Sequence, residues 1–278
     1  MKTLLFNGCS FMAGDSFAWD QFHKEHDRPV TDWLQKSSSG DFEFRKKYFE
    51  YRKNNNLPGQ ISKLLGLNKI DISEDGKSNE HIALETIAYI QTIAPEKRQQ
   101  YHVVIGWTAI SRVMKYSTIS NSFINLTIGH YHSNDSDPAK ANLNEYIKAR
   151  IIDADIHDSV TDYIKSIMLL ENFLKCNNIT YTFFRSVDNP IDPDLKIGPF
   201  SFLQEYKIDQ NDVTDHSCWY KFNLTFHNNC FPFVGHSWAT AVIDLNLDFV
   251  ISTYNFHPNL ISIEKFANDL ANFIPSTF

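Results

Sequence analysis

Four short apolar runs, each separated from the next by segments with helical periodicity, constrain this chain more than any other feature. They are "KTLLF" (2–6), "KIDIS" (69–73), "HVVIG" (102–106) and "ITYTFF" (179–184). Each is too short for a helix and is bounded by turn residues, so each reads as a strand. Amphipathic stretches lie between them. "QISKLLGL" runs into a glycine stop at Gly66, and "EHIALETIAYIQTIA" spaces Ile82, Leu84, Ile87, Ile90 and Ile93 at roughly helical intervals. "SVTDYIKSIMLLENFLKCNN" (159–178) turns Ile164, Ile167, Leu169, Leu170, Phe173 and Leu174 inward. A last helix in "PNLISIEKFANDLANFI" shows one apolar face of Ile263, Phe266, Ala267, Leu270, Phe273 and Ile274.

Strands alternating with helices require a parallel sheet covered on both faces. The expected fold is therefore α/β, a three-layer α/β/α sandwich whose short parallel sheet follows the flavodoxin-like order 2-1-3-4-5. Two stretches interrupt the alternation. Residues 113–157 hold a β-rich piece and then a polar loop, and residues 187–245 are rich in Pro, Asp and aromatics. Both read as insertions in one domain spanning 1–278. The aromatics of the second suggest an ordered lid or wall.

Composition narrows the class. A hydrophobic fraction of 42% supports a real core, and a net charge of -7 argues against general binding to nucleic acid or to an anionic membrane surface. No run approaches the ~18–20 apolar residues of a membrane span. The apolar start of the chain is too short for a signal peptide. Cys9, Cys176, Cys218 and Cys230 are scattered without a CxxC, which reads as reduced thiols in a cytoplasm. Cys176 reads as a small core residue. Cys9 either lines a pocket or packs behind it.

Two serines near the N-terminus compete as nucleophiles, in "GCSF" (8–11) and "GDSF" (14–17). Ligands of open α/β folds bind at the carboxyl ends of the strands. Ser10 meets that condition, following the first strand and the Asn7-Gly8 turn, whereas no strand feeds Ser16. Ser10 is either a nucleophile or a plain loop serine capping a helix. "DGKSNEHI" places Gly76 and Asn79 after the second strand. Asn79 either caps the next helix or aims its amide at an oxyanion beside the Gly76 N–H. "VVIGWT" ends the third strand with Trp107 and Thr108. "STYNFHPN" supplies His257 just before the final helix, as a loop residue or as a base.

The ordered set G-C-S-F-x-A-G, G-x-S-N, I-G-W-T and H-P-N resembles the four blocks of the SGNH (GDSL-like) hydrolase superfamily, with Cys9 in place of the usual Asp. The likeness covers the chain through Thr108 and again from His257, but not the middle. It implies Ser10, not Ser16, as nucleophile, Gly76 as an oxyanion backbone donor and His257 as general base. Proteins of the same GCSF…GxSN…HPN kind are common in tailed phages, so the resemblance also implies a viral source and a host cytoplasm. The chain departs from the family pattern twice. Trp107-Thr108 stands where a GxND asparagine is usual, leaving the Thr108 hydroxyl or the Asn79 amide as the side-chain donor. Asn255 and Tyr254 stand where the Asp before the His is usual, so either of them, Asp244, Asp248 or a backbone carbonyl would orient His257. In the serine-protease template the loss of that carboxylate costs about 10⁴ in rate.

The expected function is a serine esterase or deacylase acting on a small ester or acylated carbohydrate through Ser10 and His257, without cofactor or metal. Two alternatives stand beside it: a catalytically impaired SGNH-fold protein that binds a ligand or partner, and an acyltransferase using the same two residues. Other constellations have plainer readings. "HYH" (His130, His132) with His102 or His236 lacks a carboxylate or Cys at ligand spacing. His236 in "GHSW" lacks the helix that positions His257 as a base. "FRKKYFEYRK" interleaves cations and aromatics as a nucleic-acid surface would, but in an acidic chain it reads as a solvated helix with its aromatics inward.

Overall fold

The computed structural model describes residues 2–14, 42–110, 112–117, 121–127, 156–186 and 260–275. In chain order the elements are β1 (Thr3–Gly8), α1 (Ser10–Ala13), α2 (Phe42–Asn55), α3 (Leu57–Leu65), β2 (Asn68–Asp71) and α4 (Asn79–Gln91). Then come a 3₁₀ turn (Pro95–Gln100), β3 (Tyr101–Trp107), β4 (Arg112–Ser117), β5 (Ser122–Thr127), α5 (Ile156–Cys176), β6 (Thr180–Arg185) and α6 (Leu260–Phe273).

Strands β2, β1, β3 and β6 lie side by side in that order, all parallel, with Leu5 opposite Ile70 on one side and Val103 on the other. Counting only these strands, the order is 2-1-3-4, the doubly wound arrangement expected from the alternation. The place of a fifth strand lies outside the described residues. Successive side chains of a strand point to opposite faces, and the core divides accordingly. Leu4, Phe6, Val104 and Phe184 pack with Leu57 and Ile61 of α3 and with Ile263, Phe266 and Leu270 of α6. Leu5, Val103, Ile105 and Phe183 pack with Ile82 and Ile90 of α4 and with Ile164, Ile167 and Leu170 of α5. Helices therefore cover both faces of the sheet, giving three layers.

Local chemistry sets the helix ends. Asn56 caps α3, its Oδ1 accepting the Gly59 N–H at 2.9 Å, and Pro58 sits in the first turn, where a missing N–H costs nothing. The helix thus takes in Leu57-Pro58-Gly59, three residues earlier than periodicity indicates. It stops at Gly66, whose φ of 63° a Cβ would resist. On α6 and the residue just past it, Ile263, Phe266, Leu270 and Ile274 recur at 3- and 4-residue steps and are all buried. Each contributes roughly 1.5–3 kcal/mol by leaving water, so Leu270→Ala alone should cost about 2–5 kcal/mol.

Several expected core positions face outward. Leu84 and Leu169 are 41% and 48% exposed, because each lies two residues from a buried isoleucine (Ile82, Ile167) and so on the other flank of its helix. Cys176 is exposed at the end of α5, whereas Cys9 is buried with Phe6 and Met12. On α2, Tyr48 enters the core while Lys46, Lys47 and Phe49 face solvent. Within 113–157 the described residues form an antiparallel strand pair, β4–β5, carrying an exposed Tyr116–Phe123 ring pair, and Ile156 and His157 already belong to α5. No helix among the described residues is long and apolar enough to cross a membrane.

Candidate active site

The sheet reverses its winding between β1 and β3, and at such a switch point a crevice forms beyond the strand ends. Ser10 emerges there, one turn after β1. Two glycines bring its short helix down onto the sheet. Gly8 pairs in register with Gly106. A Cβ on Gly8 would lie 2.4 Å from Met12 Cγ, and one on Gly106 would lie 2.8 Å from the same atom. Met12 fills the notch that the two missing side chains leave. The far end of α1 is tied down as well. The Ala13 carbonyl accepts from Arg52 Nε at 3.0 Å and from Asn56 Nδ2 at 3.4 Å, and Gly14 closes the turn at φ 74°. Ser10 itself is 6% exposed.

After β2 the chain keeps pairing with β1. The Ile72 N–H donates to Phe6 O at 3.0 Å and the Glu74 N–H to Gly8 O at 3.1 Å. This draws the loop bearing Gly76 towards the turn that bears Ser10. Gly76 has φ 76°, yet a Cβ there would meet nothing within 4 Å. Glycine serves backbone conformation here, not space.

The cap of α4 differs from expectation. Ser78 is the N-cap, its Oγ accepting the His81 N–H at 3.2 Å. Asn79 instead turns across to the exit of β3. Its Oδ1 accepts the Thr108 N–H at 2.8 Å, and its Nδ2 donates to Thr108 O at 3.0 Å and Ala109 O at 3.3 Å. Asn79 and Thr108 are both buried. Both amide hydrogens of Asn79 are engaged, so in this arrangement it shapes the crevice wall.

Sequence reading missed one group altogether. Lys77 is fully buried, and its Nζ donates to Ile72 O, Glu85 Oε2 and Asn7 Oδ1. Asn7 Oδ1 also accepts the Gly8 N–H at 2.8 Å. Its Nδ2 faces Ile82 O, Glu85 Oε2 and Thr86 Oγ1 at 3.2, 3.0 and 3.0 Å. The available signal was a lysine between a left-handed glycine and a cap serine, with an acid two helical turns on.

Beside Asn79 opens a cavity of about 100 Å³, lined among others by Glu80, Ile110, Arg112, Asp162 and Tyr163. Partial burial, and then the charge of Asp162, push the Glu80 carboxyl above its ordinary pKa. The β4–β5 pair borders this region too. Asn125 accepts the Ser78 N–H at 3.0 Å, and its Nδ2 lies 2.7 Å from His81 Nδ1.

His102 belongs to none of this. It is fully buried in β3, with its ring nitrogens 2.9 Å from the hydroxyls of Thr180 and Thr182. Burial pushes its pKa down to about 3, and it is a core histidine whose two ring nitrogens face hydroxyls of β6. No cluster of three or more His, Cys, Asp or Glu able to hold a metal occurs among the described residues. Ser16, His130, His132, His236, Asp244, Asp248, Tyr254, Asn255 and His257 lie outside the described residues.

No protein-family model matches the chain, and no curated protein matches it. Among solved structures it is similar to a protein from Desulfitobacterium hafniense DCB-2 assigned to the G-D-S-L family of lipolytic proteins. The identity is 10% and the TM-score 0.48, over 99% of this chain and 100% of that one. It is also similar to a member of the lipolytic G-D-S-L family from Veillonella parvula DSM 2008, at 10% identity and a TM-score of 0.45, over the whole of both chains.

Proposed function

We propose that the protein is a serine esterase or deacylase, with Ser10 as nucleophile and His257 as general base. The observation that carries this reading is the placement of Ser10 at the switch point of the sheet, on a turn fixed at both ends, beside the loop that bears Gly76. The N–H groups of Ser10 and Gly76 are the proposed oxyanion donors. His257 stands three residues ahead of Leu260 in the sequence. The helix that begins there packs against the cluster containing Cys9 and Met12, which supports His257 as the partner.

In the proposed reaction Ser10 Oγ attacks an ester carbonyl and His257 accepts its proton. The oxygen that becomes negative is held by the two backbone N–H groups. The tetrahedral intermediate collapses, His257 returns the proton to the leaving alcohol, and water then releases the acyl group by the same steps. The cavity beside Asn79 offers a guanidinium and two carboxylates, which favours a hydroxyl-bearing alcohol such as a sugar over an aliphatic chain. A catalytically impaired binding protein is the second reading. The engagement of both Asn79 amide hydrogens favours it, since that leaves fewer side-chain donors for an oxyanion.

Labelling with a fluorophosphonate serine probe separates the two. The esterase reading expects labelling of the native chain, kept in Ser16→Ala and lost in Ser10→Ala and His257→Ala. A folded native chain that does not label, and cleaves no ester in a panel of acylated sugars and small esters, establishes the binding reading instead.

A further inference from the structure

The buried Lys77 has no role in the chemistry above, and a buried ammonium needs a full set of partners. Its partners come from three separate segments. Ile72 O lies on the strand extension after β2, Asn7 Oδ1 at the end of β1, and Glu85 Oε2 on α4. The Lys77 side chain closes the loop 72–77 upon itself, and that loop contains Gly76. Asn7 Oδ1 accepts from Lys77 and from the Gly8 N–H at once, so one oxygen links the loop to the turn before Ser10. Asn7 Nδ2 then fastens that turn to α4 through Ile82 O and Thr86 Oγ1.

From this geometry we infer that Lys77 is a positioning residue that fixes Gly76 relative to Ser10, acting through Asn7 and Glu85. In this role it touches no substrate. The inference rests on the esterase reading for its consequence in catalysis, although the clamp itself can be tested without any activity. Two donors that must meet one oxyanion are sensitive to small displacements, and a misplacement of about 1 Å can cost about 10²-fold. Past Glu74, whose N–H donates to Gly8 O, Gly76 stands at φ 76° with open space around it, and Lys77 is the next residue tied back to that turn.

The test uses three variants of the full chain. Lys77→Met strips the clamp but leaves Ile72 O and Glu85 without the ammonium, and the fold could fail for that reason alone. The double variant Lys77→Met/Glu85→Leu replaces the ion pair by apolar groups, a change that is often neutral or stabilising, and so separates stability from position. Glu85→Gln keeps an oxygen for Lys77 and serves as the conservative variant.

Two readouts are taken on folded protein. The first is amide hydrogen exchange at Gly8–Ser10 and Gly76–Ser78. We expect it to accelerate at least tenfold in the double variant and only slightly in Glu85→Gln. The second is the maximal rate of fluorophosphonate labelling, expected to fall about 10- to 100-fold with the probe concentration at half-saturation little changed. A stable double variant with native exchange at both segments overturns the inference. So does one that exchanges faster but labels at the native rate. If the native chain does not label at all, the esterase reading fails by itself, and the exchange data still decide whether Lys77 holds the two segments together.

Discussion

Asn79 grips the backbone of Thr108 from both sides, its Oδ1 accepting the Thr108 N–H at 2.8 Å and its Nδ2 donating to the Thr108 carbonyl at 3.0 Å. The side-chain amide thus pairs with the chain leaving β3 as another strand would.

Removing that grip has a calculable cost. Asn79→Ala removes three hydrogen bonds to the Thr108 and Ala109 backbone, each worth about 0.5–1.5 kcal/mol net. Chemical denaturation should show a loss of roughly 2–4 kcal/mol in total. Asn79→Asp is more informative. Its carboxylate accepts from the Thr108 N–H but repels the Thr108 and Ala109 carbonyls. That variant should recover stability on acidification, when a protonated carboxyl can donate, and a flat profile would show that the carbonyl side of the grip contributes nothing.

His102 predicts a pH dependence of stability. Its folded pKa of about 3 lies below the ordinary 6.5, so between those values the unfolded chain binds a proton that the folded chain refuses. Stability from this group is fully present above pH 6.5 and is lost as pH falls towards 3, by up to ~1.4 kcal/mol per pH unit. Urea unfolding midpoints at pH 7.5, 6, 5 and 4 measure it. In His102→Gln the slope over this window should diminish, and an undiminished slope would assign it to other groups.

Two glycine substitutions should act by different means. Gly106→Ala would place a Cβ 2.6 Å from Ser186 Oγ and 2.8 Å from both Met12 Cγ and Phe184 Cζ. Such overpacking costs about 1–3 kcal/mol and should appear as a lower melting temperature. Gly76→Ala meets no atom and strains only the backbone, by roughly 1–2 kcal/mol. It should keep the fold while slowing serine labelling. Alanine keeps the backbone N–H, so slower labelling would report a donor displaced by that strain, and equal labelling a loop that holds its left-handed turn.

Asn125 predicts a tautomer. Since its Oδ1 takes the Ser78 N–H, its amide hydrogens face His81 Nδ1, which must then be an acceptor with the ring proton on Nε2. Nitrogen chemical shifts of the imidazole should report that form, with the proton moving to Nδ1 in Asn125→Asp. Asn125→Leu should speed amide exchange across residues 112–127, because the β4–β5 pair loses its tie to α4.

The sheet order, its two helical layers and the placement of Ser10 were legible in the sequence. Each depends on local periodicity or on turns such as Asn7-Gly8, and parallel strands joined by helices admit few topologies. The errors have local causes too. An approximate helical count accepts Leu84 and Leu169, each two positions from a residue on the true face. Of the two readings open for Asn79, the cap falls instead to Ser78, one residue earlier.

What only the tertiary structure decided is which polar groups meet. Asn79 finds Thr108 across 29 residues, Lys77 finds Asn7 across 70, and His102 finds Thr180 across 78. No local pattern encodes such pairs. The His102 pair follows from the register of β3 with β6, and the other two arise because β1 sits between β2 and β3, so the ends of three distant segments converge on one edge of the sheet. Once buried there, each polar group must take whatever partner the register supplies. The sequence by itself determined that there would be such an edge, and that a serine would stand on it. The packing of strands and helices determined that a buried lysine and two asparagines would hold that edge in shape.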